Sequence, residues 1–187
     1  MPVKGEKLTD PTSGNIIEFI DTAKDTDGKF VKCKVTINPA GKFIPKHYHI
    51  LQDEQLEVIS GNLGVWYHGK TTVHSAGDVV FLKKNTPHNH YNAGPGPLVY
   101  SHTSIPGLDF DYFMETLGGL GTEGKLVNGW PSTIQQIVSN RYLQSKAMGA
   151  GYPVFIQKLA INIIAPIACL FGYRAVYKKY SGIEIPE

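Results

Sequence analysis

Cysteine is scarce in this chain. Its 187 residues hold two, Cys33 and Cys169, which is no basis for a disulfide framework or a thiolate metal site. An excess of one charge is also missing. There are 18 Lys and Arg against 16 Asp and Glu, for a formal net charge of +2, and the lysines are scattered, so no footprint for nucleic acid appears. The opening residues, Met1-Pro2-Val3-Lys4-Gly5-Glu6-Lys7, lack the apolar core of a secretory leader, and a cytoplasmic location is the default expectation. No clean apolar run reaches the roughly 20 residues that a bilayer crossing requires. There is no Gly-rich phosphate loop, no nucleophile elbow and no internal repeat. No motif reads a phosphate, a nucleotide or a sugar, so none names a substrate.

What is present is a succession of short alternating segments. Strands are expected at 15–21, 30–37, 54–60, 63–67, 71–74, 79–82, 88–92 and 98–104, separated by Gly- and Asn-containing turns. Gly61-Asn62 is read as a tight turn from which 63–67 pairs back. Regular spacing of this kind is the signature of a sandwich or closed barrel. Composition shifts after Pro106-Gly107. Helices are expected at 109–117, from about 133 until Gly149-Ala150-Gly151, and from 153 to 171, with a Gly-rich link at 118–124. The chain divides into a polar arm (1–14), a β-barrel (15–107) and a helical extension (108–187) too apolar to fold by itself.

The chemistry concentrates in two runs. In the first, His47 and His49 stand two apart on a strand, so both imidazoles face the same side. Glu54 follows after Gln52-Asp53 and opens the next strand; a hairpin there would return its carboxylate to the two rings. Two imidazoles and a carboxylate on one face make a site for a divalent transition metal. The second run, Gly77 to Asn92, offers His88 as a fourth candidate.

Together these runs resemble the two motifs of the cupin superfamily. Gly41, His47, His49, Glu54 and Gly61 stand at the fixed positions of the first. Gly77, His88 and Asn92 match the second, in which Lys83 replaces a Pro and Asn85 a Gly. Asn tolerates the left-handed backbone that the Gly would otherwise supply. The resemblance implies a mainly β fold, a double-stranded β-helix or jelly-roll barrel with the metal inside, here followed by C-terminal α-helices. It implies His47, His49, Glu54 and His88 as ligands. Such a set leaves positions open on a six-coordinate ion and suits Fe, Mn, Ni, Zn or Cu alike.

Other residues are placed by parity. His90 shares the inward face of His88, and His102 and Tyr100 share a face of the last barrel strand. His90 and His102 are the candidate acid/base groups, the alternative being hydrogen-bonded core residues. Trp66 reads as barrel packing, and Glu57 should face away from the metal. The expected function is that of a mononuclear metal enzyme, dioxygenase-like or of related metal-assisted chemistry, acting on a small organic substrate. The alternative is a non-catalytic module that binds or senses a small ligand.

The last helical run is apolar nearly all round, from Leu159 to Phe171. Such a helix requires cover. A homodimer is expected to supply it, and peripheral membrane contact through 153–172 is the competing reading.

Overall fold

A computed structural model describes residues 2–39, 44–127 and 129–186; the motif glycine Gly41 lies outside the described residues. Among the described residues, ten strands precede the helices. They are β1 (Lys7–Thr9), β2 (Ile16–Asp21), β3 (Val31–Ile37), β4 (His47–His49), β5 (Asp53–Ser60), β6 (Leu63–Tyr67), β7 (Lys70–His74), β8 (Val79–Leu82), β9 (His88–Asn92) and β10 (Leu98–Ile105). Then come α1 (Phe110–Thr122), α2 (Thr133–Tyr142), β11 (Ala147–Gly149), α3 (Val154–Leu170) and α4 (Lys178–Ser181). One sheet has the order β1-β2-β3-β10-β5-β8 and the other β11-β4-β9-β6-β7. All pairings are antiparallel, which makes a two-sheet jelly roll with a helical extension.

Alternation sets the inner face. Val31, Cys33, Val35 and Ile37 of β3 are buried, and Lys32, Lys34 and Thr36 between them are half-exposed. On β5, Glu54, Leu56 and Val58 turn inward. Glu57 turns out, with Lys32 Nζ at 3.9 Å. Trp66 does not pack inside the barrel. It follows inward-facing Val65, so parity sends it to the outer face, where Lys46 Nζ lies 3.8 Å from its ring centroid.

Two expected hairpins are absent. β4 and β5 lie in different sheets, as do β5 and β6. Residues 50–52 and 61–62 are therefore corners where the chain crosses from one sheet to the other. Alternation dictates which face a side chain takes but not which strand becomes the neighbour. The corner at 50–52 is pinned by buried Gln52, whose Nε2 donates to the carbonyl oxygens of Pro106 at 2.9 Å and Gly107 at 3.1 Å.

The arm and the Gly-rich link also differ from expectation. Residues 7–9 form β1, paired with β2. Gly118, Gly119 and Gly121 lie inside α1 rather than beyond it. Glycine costs a helix backbone entropy, but here it admits close neighbours. A Cβ on Gly118 would stand 2.5 Å from Leu8 Cδ1 and 2.7 Å from Leu8 Cβ, and one on Gly119 2.5 Å from the Tyr180 ring. Gly118→Ala should therefore destabilise the protein by about 1–3 kcal/mol through overpacking, against the gain of about 0.5–1 kcal/mol ordinary for this change in a helix. A urea midpoint equal to or above that of the unmodified chain would refute this packing.

The second helix ends at Tyr142, before the expected glycines. After it, Ala147–Gly149 pairs with β4 as an edge strand. Ser132 caps α2, its hydroxyl accepting from Gln135 N–H at 3.2 Å, as expected where a Ser stands just before a helix. Phe110, Phe113 and Met114 of α1 and Val138 of α2 share one core with the barrel strands.

Candidate metal centre

The jelly roll brings His47, His49, Glu54 and His88 together in its interior, all four buried. One donor atom from each lies within 4.8 Å of the others. His47 and His49 arrive from β4 by parity, and His88 arrives because β9 pairs with β4 in the register His47↔His88. Glu54 comes from the opposite sheet rather than from a hairpin. Its Oε2 lies 2.8 Å from His88 Nε2, and its Oε1 lies 3.2 Å from His49 Nε2.

The outer nitrogens of two rings are fixed by backbone. His47 Nδ1–H donates to the Pro45 carbonyl oxygen at 2.7 Å, and His88 Nδ1–H to that of Thr86 at 2.8 Å. Each hydrogen bond selects a tautomer whose Nε2 carries a lone pair toward the centre, the arrangement by which imidazoles are oriented for a metal. In neutral His88 that lone pair confronts the Glu54 carboxylate, and neither His88 Nε2 nor Glu54 Oε2 has another hydrogen-bond partner. Two buried acceptors at 2.8 Å require a cation between them, a proton or a metal ion. The donor set thus fits a divalent transition ion.

The electrostatics agree for His47 and Glu54. Burial, reinforced by His49 and His88, pushes His47 down to about 3, so that it stays neutral. Burial alone would raise the Glu54 carboxyl, but His49 and His102 overturn this and hold it well below the usual carboxylate range. Burial likewise works to lower His88, and its contact with Glu54 prevails and raises it.

His102 stands closer to the centre than parity could reveal. Its Nε2–H donates to Glu54 Oε1 at 2.7 Å. His90 is buried one step further away, its Nε2 3.0 Å from the Tyr100 hydroxyl and its Nδ1 without a partner. Burial, aided by His102, pushes His90 well below the ordinary imidazole range, and burial raises the Tyr100 phenol. The substituted positions of the second motif are accommodated. Asn85 takes φ of 59°, and Lys83 Nζ pairs with Asp53 at 2.9 Å. Asn92 serves the scaffold, its Nδ2 donating to the carbonyl oxygens of Ile37 at 2.9 Å and Gly96 at 2.8 Å.

A cavity of about 110 Å³ opens beside the cluster. His47, His49, Glu54, His90 and His102 line it at the cluster, Ile17, Val35, Ile37, Phe113 and Met114 supply apolar wall, and Asp10 and Asn15 add polar groups. The extension supplies part of its wall. The Phe110 ring lies 5.0 Å from that of His102, and Trp130 lies 6.2 Å from His47. Nothing in the sequence marked these two aromatics, since they come from segments outside both motifs.

Residues 33–105 match the family model described as the cupin domain. None of the curated proteins compared matches the chain. Among solved structures, a predicted oxalate decarboxylase from Thermotoga maritima is 18% identical, with 56% of this chain and 93% of that one covered and a TM-score of 0.48. KdgF from Halomonas sp. is 18% identical over 56% and 92%, also at 0.48. An uncharacterized conserved protein with a double-stranded β-helix domain, from Klebsiella pneumoniae, is 24% identical over 57% and 83%, at 0.42.

Proposed function

Because the chain carries a cupin domain over residues 33–105, we propose that His47, His49, Glu54 and His88 hold one divalent transition metal ion, and that the centre acts on a small, largely apolar organic substrate. The observation that supports this most is the pair of backbone-locked imidazoles aimed, with the Glu54 carboxylate, at one buried point. A divalent ion there supplies Lewis acidity, and a redox-active one adds electron transfer. The protein's own part is to orient and to move protons. His102 holds a proton on Nε2 against Glu54. His90, kept neutral by burial, is a base of modest strength, and its partner Tyr100 stays a phenol.

The cavity defines the substrate class. No Lys or Arg lines it among the described residues, so a phosphorylated or multiply anionic molecule would be desolvated without compensation. An apolar body with one oxygen-bearing head, such as a phenol or a keto acid, matches the lining. Metal-loaded protein should consume oxygen or convert one member of a phenolic and keto-acid panel. His102→Gln and His90→Gln should lower turnover by about 10²–10⁴-fold, measured with the metal at saturating concentration. Saturable binding without turnover across the panel would favour the ligand-holding alternative, for which the largely apolar cavity is equally suited.

A further inference from the structure

The apolar helix α3 is not covered by the protein's own barrel. It packs on α2 and touches the edge strand β11, and among its described residues only Ala165 and Ala168 are buried. Phe155, Leu159, Ile163, Ile167 and Leu170 recur at three- and four-residue intervals and are all exposed, as is Phe171 beyond the helix end; Leu170 and Phe171 keep 85% and 79% of their surface open. A continuous apolar stripe of this kind exceeds what a water-facing helix carries. No described helix is long and apolar enough to cross a membrane.

The charge around the stripe identifies what covers it. Between Leu126 and Ile183 every acidic or strongly basic side chain is a cation: Arg141, Lys146, Lys158, Arg174, Lys178 and Lys179, with no Asp or Glu. At +2 overall, the remainder of the chain is net negative. Two of the six, Lys178 and Lys179, are ion-paired with Glu184 and Glu123; others stand beside the stripe. Lys158 lies exposed on α3 itself, one turn before Asn162, and Arg141 Nη1 donates to Asn162 Oδ1 at 2.9 Å. At the other end, a cleft is lined by Pro166, Leu170, Arg174 and Lys178, and Glu184, its one acid among the described residues, is held by Lys178 at 3.5 Å. A second copy seated on this stripe would set cationic borders against each other, which opposes association. An anionic bilayer surface meets the apolar stripe with acyl chains and the borders with headgroup phosphates.

We propose that α3 docks the protein in the plane of an anionic membrane surface, as an interfacial helix that does not span it. The protein should co-sediment with vesicles of phosphatidylcholine containing about one-third phosphatidylserine, and less with phosphatidylcholine alone, the difference shrinking with added salt. Leu159→Asp with Ile163→Asp should abolish sedimentation. Arg141→Gln and Lys158→Gln should each weaken it roughly fivefold on the anionic vesicles. All four positions are exposed, so unchanged far-ultraviolet circular dichroism and melting temperature should accompany the losses. No sedimentation at low ionic strength overturns the proposal, as does sedimentation that the double substitution leaves intact. A detergent-free dimer that the same double substitution makes monomeric, without vesicle binding, would assign the stripe to a second copy instead.

Discussion

Replacing His88 or His47 by alanine should weaken binding of a divalent transition metal by more than about 100-fold, the loss incurred when only the outer partner of a ligand is removed. Each ring contributes an Nε2 lone pair that its backbone hydrogen bond leaves no freedom to redirect, so no neighbour takes over. His102→Gln provides the contrast, because His102 touches Glu54 rather than completing the four-donor cluster; its metal affinity should fall by about 10–100-fold at most. Titration with nickel or manganese, followed by the rise in melting temperature, reads both. Equal metal-dependent stabilisation in all three variants would remove His47 and His88 from the ligand set.

Truncation before Asp109 should yield aggregated protein. The cut removes Phe110, Phe113 and Met114 from the core shared with the barrel, and it strips β11 from the edge of β4, the strand that carries two of the four cluster residues. Each buried Phe is worth about 3–5 kcal/mol, so the loss approaches the whole stability of a domain, about 5–15 kcal/mol. Leu8, Ile17 and Ile37, which line the cavity beneath α1, would meet water. A soluble fragment of residues 1–108 with the melting temperature of the full chain would show that the extension is an independent appendage.

The sequence made the strands and the composition of the cluster legible, because alternation with period two is a direct consequence of strand geometry. His47, His49, Glu54, His88 and His90 are inward for that reason alone. Partnership between strands was not legible. Alternation is the same whether Asp53–Ser60 returns as a hairpin or crosses to the other sheet, and only the closed barrel chooses. The position of His102 against Glu54 depends on that choice, since β10 lies beside β5 in the register His102↔Leu56. Gly118 and Gly119 misled because their value lies in contacts with Leu8 and Tyr180, distant in sequence. Ala147–Gly149 has no strand signal of its own and is extended because β4 offers it an edge. For α3, hydrophobicity on every side gave no clue to which face α2 would cover. The structure buries the two small residues, Ala165 and Ala168, and leaves the large ones outside.

The central claim is that the buried cluster is a metal centre. Metal analysis of the full chain, purified without chelator and then loaded separately with Fe, Mn, Ni, Zn and Cu before desalting, tests it most directly. One tightly held ion per chain with at least one of the five is the predicted result. Less than a tenth of an ion per chain with every one of them, on folded protein, would contradict it, and would make Glu54 and its three imidazoles a proton-linked core network.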